Sequence, residues 1–143
     1  MKVQSYLQFQ GRCDEAIEFY RGALGAEVEV IMRWKDCPQP QPGMIPPGAE
    51  KKVMHAAFRI GETTVLASDG LTPGQPTFQG FSLALYVPND AEAKRRFELL
   101  AERGQVQQPL MPTFFTSSFG IVTDRFGVSW MVVVETAAGQ GQR

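Results

Sequence analysis

Hydrophobic and polar residues alternate strictly through "VQSYLQF" (3–9). Val3, Ser5, Leu7 and Phe9 fall on one side, and Gln4, Tyr6 and Gln8 on the other. That period of two predicts a strand with one core face and one wetter face. The period then changes. Ala16, Phe19, Tyr20, Ala23 and Leu24 recur at helical spacing, which predicts a helix over 15–24 capped by Asp14 and ended by Gly25. The β-branched content of 26–34 predicts a second strand. Residues 53–60 and 63–68 predict a hairpin turning at Gly61–Glu62.

The same order then starts again. "FSLALYV" (81–87) reads as a strand. A helix follows, capped by Asn89 or Asp90, with Ala93, Phe97, Leu100 and Ala101 on its apolar stripe and Gly104 as its stop. Residues 105–110 make a poor edge strand, because Pro109 lacks a donor. Residues 118–124 and 128–135 predict a second hairpin around Arg125–Phe126–Gly127. The chain therefore reads βαβββ twice.

Asp14 and Asp90 are 76 residues apart, whereas the hairpin glycines Gly61 and Gly127 are 66 apart. A Pro-rich loop at 35–52, with five prolines and two glycines, supplies the difference. The expected division is a first module at 1–72, a second at 73–136 and a frayed tail at 137–143, forming one structural domain. A half of about 70 residues is marginal alone. Repeated units of this kind need a partner copy to bury their apolar faces, so a shared core or a homodimer is expected.

Composition narrows the class. Hydrophobic residues make up 43% of the chain and charged residues 20%, which suits a soluble globular protein with a real core. Net charge is −1, from 14 basic and 15 acidic residues, so nothing steers the chain toward nucleic acid or an anionic membrane. No apolar run suits a signal peptide or a membrane span, and a cytoplasmic protein is expected. Cys13 and Cys37 are far apart and form no CxxC pair, which predicts two free thiols.

The wetter strand faces carry the candidate chemistry. Tyr6, Gln8, Ser82 and Tyr86 offer neutral hydrogen-bonding groups and two aromatic faces, which suits a small-molecule pocket. His55, the single histidine, shares a face with Val53 and Ala57, opposite Met54, Ala56 and Phe58. It is a candidate general base, or a hydrogen-bonded structural residue. Trp34 ends the second strand beside the Pro-rich loop and, with Arg33, is placed to line a pocket mouth. Trp130 falls on the face opposite Met131 and reads as core. No Gly-rich strand-to-helix loop, P-loop or GxSxG elbow is present.

Three separated motifs, "YLQFQGRCDEAIEFY", "HAAFRIGETTVLASD" and "FGIVTDRFGVSWMV", resemble the vicinal oxygen chelate superfamily of glyoxalase I, extradiol dioxygenases and bleomycin-resistance proteins. Within it they are most similar to the PhnB-like subgroup, often labelled 3-demethylubiquinone-methyltransferase-like. The resemblance implies an α+β fold. Two βαβββ modules form a cup-shaped, partly closed mixed sheet with helices on its convex side, and the ligand sits in the cup between modules. In catalytic members it also implies a metal held by His or Gln from the first strand of each module and Glu from the last.

This chain departs from that donor set. The matching places hold Ser5 or Tyr6, no carboxylate within "TTVLAS" (Asp69 stands at its exit), Ser82, and Met131, seven residues after Asp124. A thioether suits these metals poorly. Glu135 lies four residues further on, about 13 Å along a strand. The expectation is therefore no metal and no cofactor. A small organic molecule is expected to bind through Tyr6, Gln8, Trp34, His55, Ser82, Tyr86 and Met131 in a homodimer, without nucleic-acid or membrane partners. The alternative is a metal-dependent or His55-assisted lyase, isomerase or dioxygenase.

Overall fold

A computed structural model describes residues 1–38, 45, 47–70 and 74–136. Two compact units divide the chain, Met1–Pro76 and Thr77–Arg143. Each repeats one plan: a strand, a helix, then three strands.

In the first unit the elements are β1 (Tyr6–Gln8), α1 (Cys13–Leu24), β2 (Glu27–Arg33), β3 (Val53–Ile60) and β4 (Thr63–Ser68). They form a four-stranded sheet in the order β1-β4-β3-β2. β1 lies parallel to β4, and the other neighbours are antiparallel. The alternation predicted for 3–9 survives as strand only at Tyr6–Gln8. Leu7 is buried there between exposed Tyr6 and Gln8. The helix covers the Leu7 side. Tyr20 is fully buried and stacks on Phe58 of β3, with ring centroids 5.9 Å apart. Gly25 ends α1 in the left-handed conformation, φ 67°, which glycine adopts without a Cβ penalty.

The start of α1 differs from expectation. The helix begins at Cys13 after Arg12, whose side chain makes no capping bond, and Asp14 lies inside the first turn. The carboxylate of Asp69, at the exit of β4, takes over part of the capping. Its Oδ1 accepts from the Cys13 N–H at 2.8 Å, and its Oδ2 from the Val53 N–H at 2.7 Å. Asp14 instead holds Arg33 through two 2.9 Å bonds. Among the described residues of the Pro-rich stretch, Trp34–Asp36 form a short 3-10 turn tied to Glu50 and Lys52 by backbone bonds. Residues 39–44 and 46 of that loop lie outside the described set, as do 71–73 and the tail 137–143.

The second unit contains β5 (Leu83–Val87), α2 (Asp90–Ala101), β6 (Gln105–Met111), β7 (Phe119–Thr123) and β8 (Ser129–Val134), in the order β5-β8-β7-β6. Of the two candidate caps for α2, Asn89 is the one used, its Oδ1 accepting from the Glu92 N–H at 2.9 Å. Gly104 does not end the helix by a left-handed turn, since Arg103 carries the positive φ. Its role is close approach: a Cβ there would run into the carbonyl oxygen of Thr123. β6 is an edge strand bonded only to β7, as a proline within it requires. Trp130 is 3% exposed and belongs to the core with Phe97, Leu100, Val122 and Val132.

Both units are thus α+β, each an open mixed sheet with a helix against one face. No helix among the described residues is long and apolar enough to cross a membrane.

Candidate functional site

Strand pleating leaves one face of each sheet without its helix, and the candidate residues stand on these two open faces. In the first unit Tyr6 lies beside Leu66, Leu66 beside Ala57, and Ala57 beside Val30. His55 lies one pleat along on β3, opposite Met32. The Tyr6 hydroxyl is hydrogen-bonded to Nδ1 of His55 at 3.2 Å. The Gln8 side chain packs against Gly70, where a Cβ would come within 3.4 Å of its Oε1. The far side of the face is ionic: Arg59 pairs with Glu27 at 2.9 Å and Glu29 at 3.5 Å, and the Thr64 hydroxyl donates to Glu29.

Trp34 is half-buried, and its indole Nε1 is buried without a hydrogen-bond partner among the described residues. Arg33 is taken up by Asp14 and by the Lys51 carbonyl, which it reaches at 2.9 Å. That pairing holds the Asp14 carboxyl below the usual carboxylate range, chiefly through the hydrogen bond from Arg33. It is an architectural clasp between α1 and β2.

In the second unit the open face is apolar. Tyr86, Val133 and Phe119 form one row across β5, β8 and β7, and Ala84, Met131 and Ile121 form the next. Ser82 precedes β5, and its hydroxyl meets that of Ser129 at 2.7 Å. A pocket of about 390 Å³ opens on the apolar rows. Ala84, Tyr86, Met131 and Val133 line it from the sheet, and Phe114 and Phe115 from the loop between β6 and β7. Phe119, Val134, Glu135 and Thr136 complete the described lining.

That loop is pinned on three sides. The Thr113 hydroxyl accepts from the N–H groups of Phe115 and Thr116. The Thr116 hydroxyl donates to the Val134 carbonyl at 2.7 Å. Ser117 and Ser118 both donate to Asp90 Oδ1, at 2.6 and 2.7 Å, and these bonds lower the Asp90 pKa. The sequence pattern does not single out Phe114 and Phe115, because "MPTFF" has no period and reads as connecting loop. Two adjacent phenylalanines in a short polar loop were the available signal.

The metal implied by the resemblance can be tested on these side chains. Tyr6 stands beside Leu66 and Ala84 beside Met131, so neither strand pair presents an imidazole and carboxylate together. Among the described residues, no three His, Cys, Asp or Glu side chains converge. The two buried carboxylates are already committed. Asp69 binds the Cys13 and Val53 N–H groups. Asp124 accepts from the N–H groups of Phe126 and Val128 and, through Oδ2, from the Trp130 indole at 2.9 Å. The donor set does not fit such a metal.

Cys13 adds no nucleophile to these faces. Cys13 is buried, and burial, reinforced by Asp69 and Asp14, pushes its pKa up to about 12. Cys37 is free and half-buried.

Known proteins resemble this chain over nearly its whole length. The family model described as Glyoxalase/Bleomycin resistance protein/Dioxygenase superfamily matches residues 2–132. Protein YjdN of Escherichia coli (strain K12) is 34% identical over 140 residues, covering 94% of this chain and 95% of its own. The crystal structure of PA1353 from Pseudomonas aeruginosa is 40% identical, with a TM-score of 0.81 over 94% of this chain and 98% of that one. The PhnB protein of Bacillus cereus is 28% identical, with a TM-score of 0.78 over 94% of this chain and all of that one. With two βαβββ units in the matching order and a family match spanning both, the chain belongs to the glyoxalase/bleomycin resistance protein/dioxygenase superfamily.

Proposed function

We propose that this chain binds a small organic molecule on the open faces of its sheets and holds it without the metal site usual in the superfamily. The observation that carries this reading is the apolar pocket over Met131, which stands where a ligand carboxylate is expected. A volume of about 390 Å³ is of the size that admits a small ligand. Tyr6, Gln8, His55, Ser82, Tyr86 and Met131 are the proposed contacts, with Trp34 at the edge of the first face. The assembly proposed is a cytoplasmic homodimer. The methyltransferase name carried by the Bacillus cereus relative gains no support here, since neither helix follows a Gly-rich nucleotide-binding loop.

Native mass spectrometry of protein purified without added ligand tests this reading. The expected result is a small bound molecule whose removal lowers the melting temperature. No bound mass, together with no thermal shift across a panel of small organic compounds, would remove the proposal. Sedimentation of the same sample reads the oligomeric state.

One observation favours a second reading, a His55-assisted lyase or isomerase. The Tyr6 hydroxyl gives His55 an orienting partner, as a proton-transfer residue requires. Stoichiometric uptake of nickel, iron, zinc or manganese would support the metal-dependent form of that reading instead. His55→Ala discriminates further. A stability loss above about 2 kcal/mol marks a structural hydrogen bond, whereas loss of ligand exchange with stability kept marks a chemical role.

A further inference from the structure

The loop between β6 and β7 holds Phe114 fully exposed, at 101% of its reference area, although water contact over a whole phenyl ring is unfavourable. The ring is not exposed through slackness. Thr113, Thr116, Ser117 and Ser118 fix the loop to its own turn, to β8 and to the first turn of α2. Phe114 and Phe115 meet edge-on at 5.2 Å and 79°, and Phe115 meets Phe119 at 5.6 Å and 68°. This chain of rings starts in solvent and ends on the open face, where Met131 and Tyr86 lie in the same pocket.

We infer that the second unit's pocket recognises a planar aromatic group carrying no negative charge. The inference rests on the small-molecule reading and names the ligand class for that site. Two features select an aromatic ring over an aliphatic body of equal size, and a third lowers the cost of binding either. The Phe115 edge contacts define a geometry that another π system extends. The Met131 thioether makes favourable contacts with ring edges. The pinned loop presents its rings in place, so little ordering is required on binding. The charge condition follows from the described lining residues, among which Glu135 is the one carboxylate and no Lys or Arg stands to receive an anion.

A matched set of probes tests this on the full-length chain: 2-naphthol, its saturated analogue decahydro-2-naphthol, and 2-naphthoate at neutral pH. Calorimetric titration is expected to give a 2-naphthol affinity at least tenfold above that of either comparison compound. Phe114→Ala and Phe115→Leu should each weaken 2-naphthol at least fivefold with an unchanged melting temperature. Labelled-methyl NMR of Met131 should report the bound ring by an upfield shift. Equal binding of naphthol and its saturated analogue would overturn the aromatic assignment and leave the small-molecule reading standing. So would a natural ligand that shifts Tyr6 and His55 but not Met131. Failure of naphthol to bind also overturns the inference, while the native mass measurement decides the broader reading separately. If a Phe variant melts early, the Met131 shift in the wild-type chain remains the deciding readout.

Discussion

The two units follow one topological plan, and each is held together internally by its own polar contacts. In the first, the buried carboxylate is Asp69 at the strand exit, joining the start of β3 to the start of α1. In the second, it is Asp124 in the hairpin turn, joining that turn to the Trp130 indole. The open faces diverge too. The first presents a Tyr6–His55 pair and an Arg59–Glu27–Glu29 ion cluster, and the second presents apolar rows beneath a fixed aromatic loop. Hydrophobic alternation fixes which residues face the helix. It leaves the other face free to change, so a repeated backbone does not imply a repeated site.

Removing the two carboxylates should give the largest effects. Asp124→Ala leaves two backbone N–H groups and one indole N–H without their acceptor, and Asp69→Ala leaves two N–H groups. At about 1–3 kcal/mol per buried unsatisfied group, losses of about 4 and about 3 kcal/mol are expected in denaturant unfolding. If each carboxylate serves its own unit, Asp124→Ala should shift Trp130 fluorescence in the native state while Asp69→Ala leaves it unchanged. Equal shifts from both would break the comparison.

Glycine substitutions should have the next largest effects. Gly104→Ala places a Cβ against the Thr123 backbone, where no side chain can yield, and should cost about 2–3 kcal/mol. Gly61→Ala, in the β3–β4 hairpin of the first unit, meets open space but keeps a φ of 58° and should cost about 1 kcal/mol. Reversal of that order in thermal melts would show that backbone conformation outweighs close packing here.

The Asp14–Arg33 clasp has no described counterpart in the second unit, and it makes a smaller, pH-dependent contribution. The folded pKa of Asp14 is depressed. Its contribution is therefore complete above the unfolded carboxylate value and is lost as pH falls through the lower folded value. The Asp14 side chain is 57% exposed, so solvent screening limits the pair to about 1 kcal/mol. Arg33→Ala should lower the denaturant-unfolding free energy near pH 7 by that amount, and the difference from wild type should vanish near pH 2.

The smallest effect is on reactivity rather than stability. With its pKa raised to about 12, buried Cys13 should resist a thiol reagent at pH 8 while Cys37 reacts. One titratable thiol in native protein and two in denaturant is the expected count. Two fast thiols in native protein would show that the first unit opens readily around α1.

The doubled βαβββ order was legible because it depends on periods of two and 3.6 that hold across whole elements. Val53–Ile60 and Thr63–Ser68 form the two strands of the hairpin expected around Gly61–Glu62. The cap of α1 was not legible, since the acceptor for Cys13 comes from Asp69, 56 residues away. The pairing between strands was equally hidden: Ala84, not Ser82, lies beside Met131. For the candidate site, alternation placed Tyr6, His55, Tyr86 and Met131 on open faces. The aromatic wall was not legible, because loops carry side chains without a period.

The parallel pairing of first and last strands also governs how each unit is completed. Tyr6 must find Leu66, 60 residues later, and Leu83 must find Trp130. The helices and the β3–β4 and β7–β8 hairpins close short loops, but β1 and β5 dock only after their whole unit has been synthesised. A ribosome-bound chain halted before β4 or β8 would therefore display an amphipathic strand still lacking its parallel neighbour.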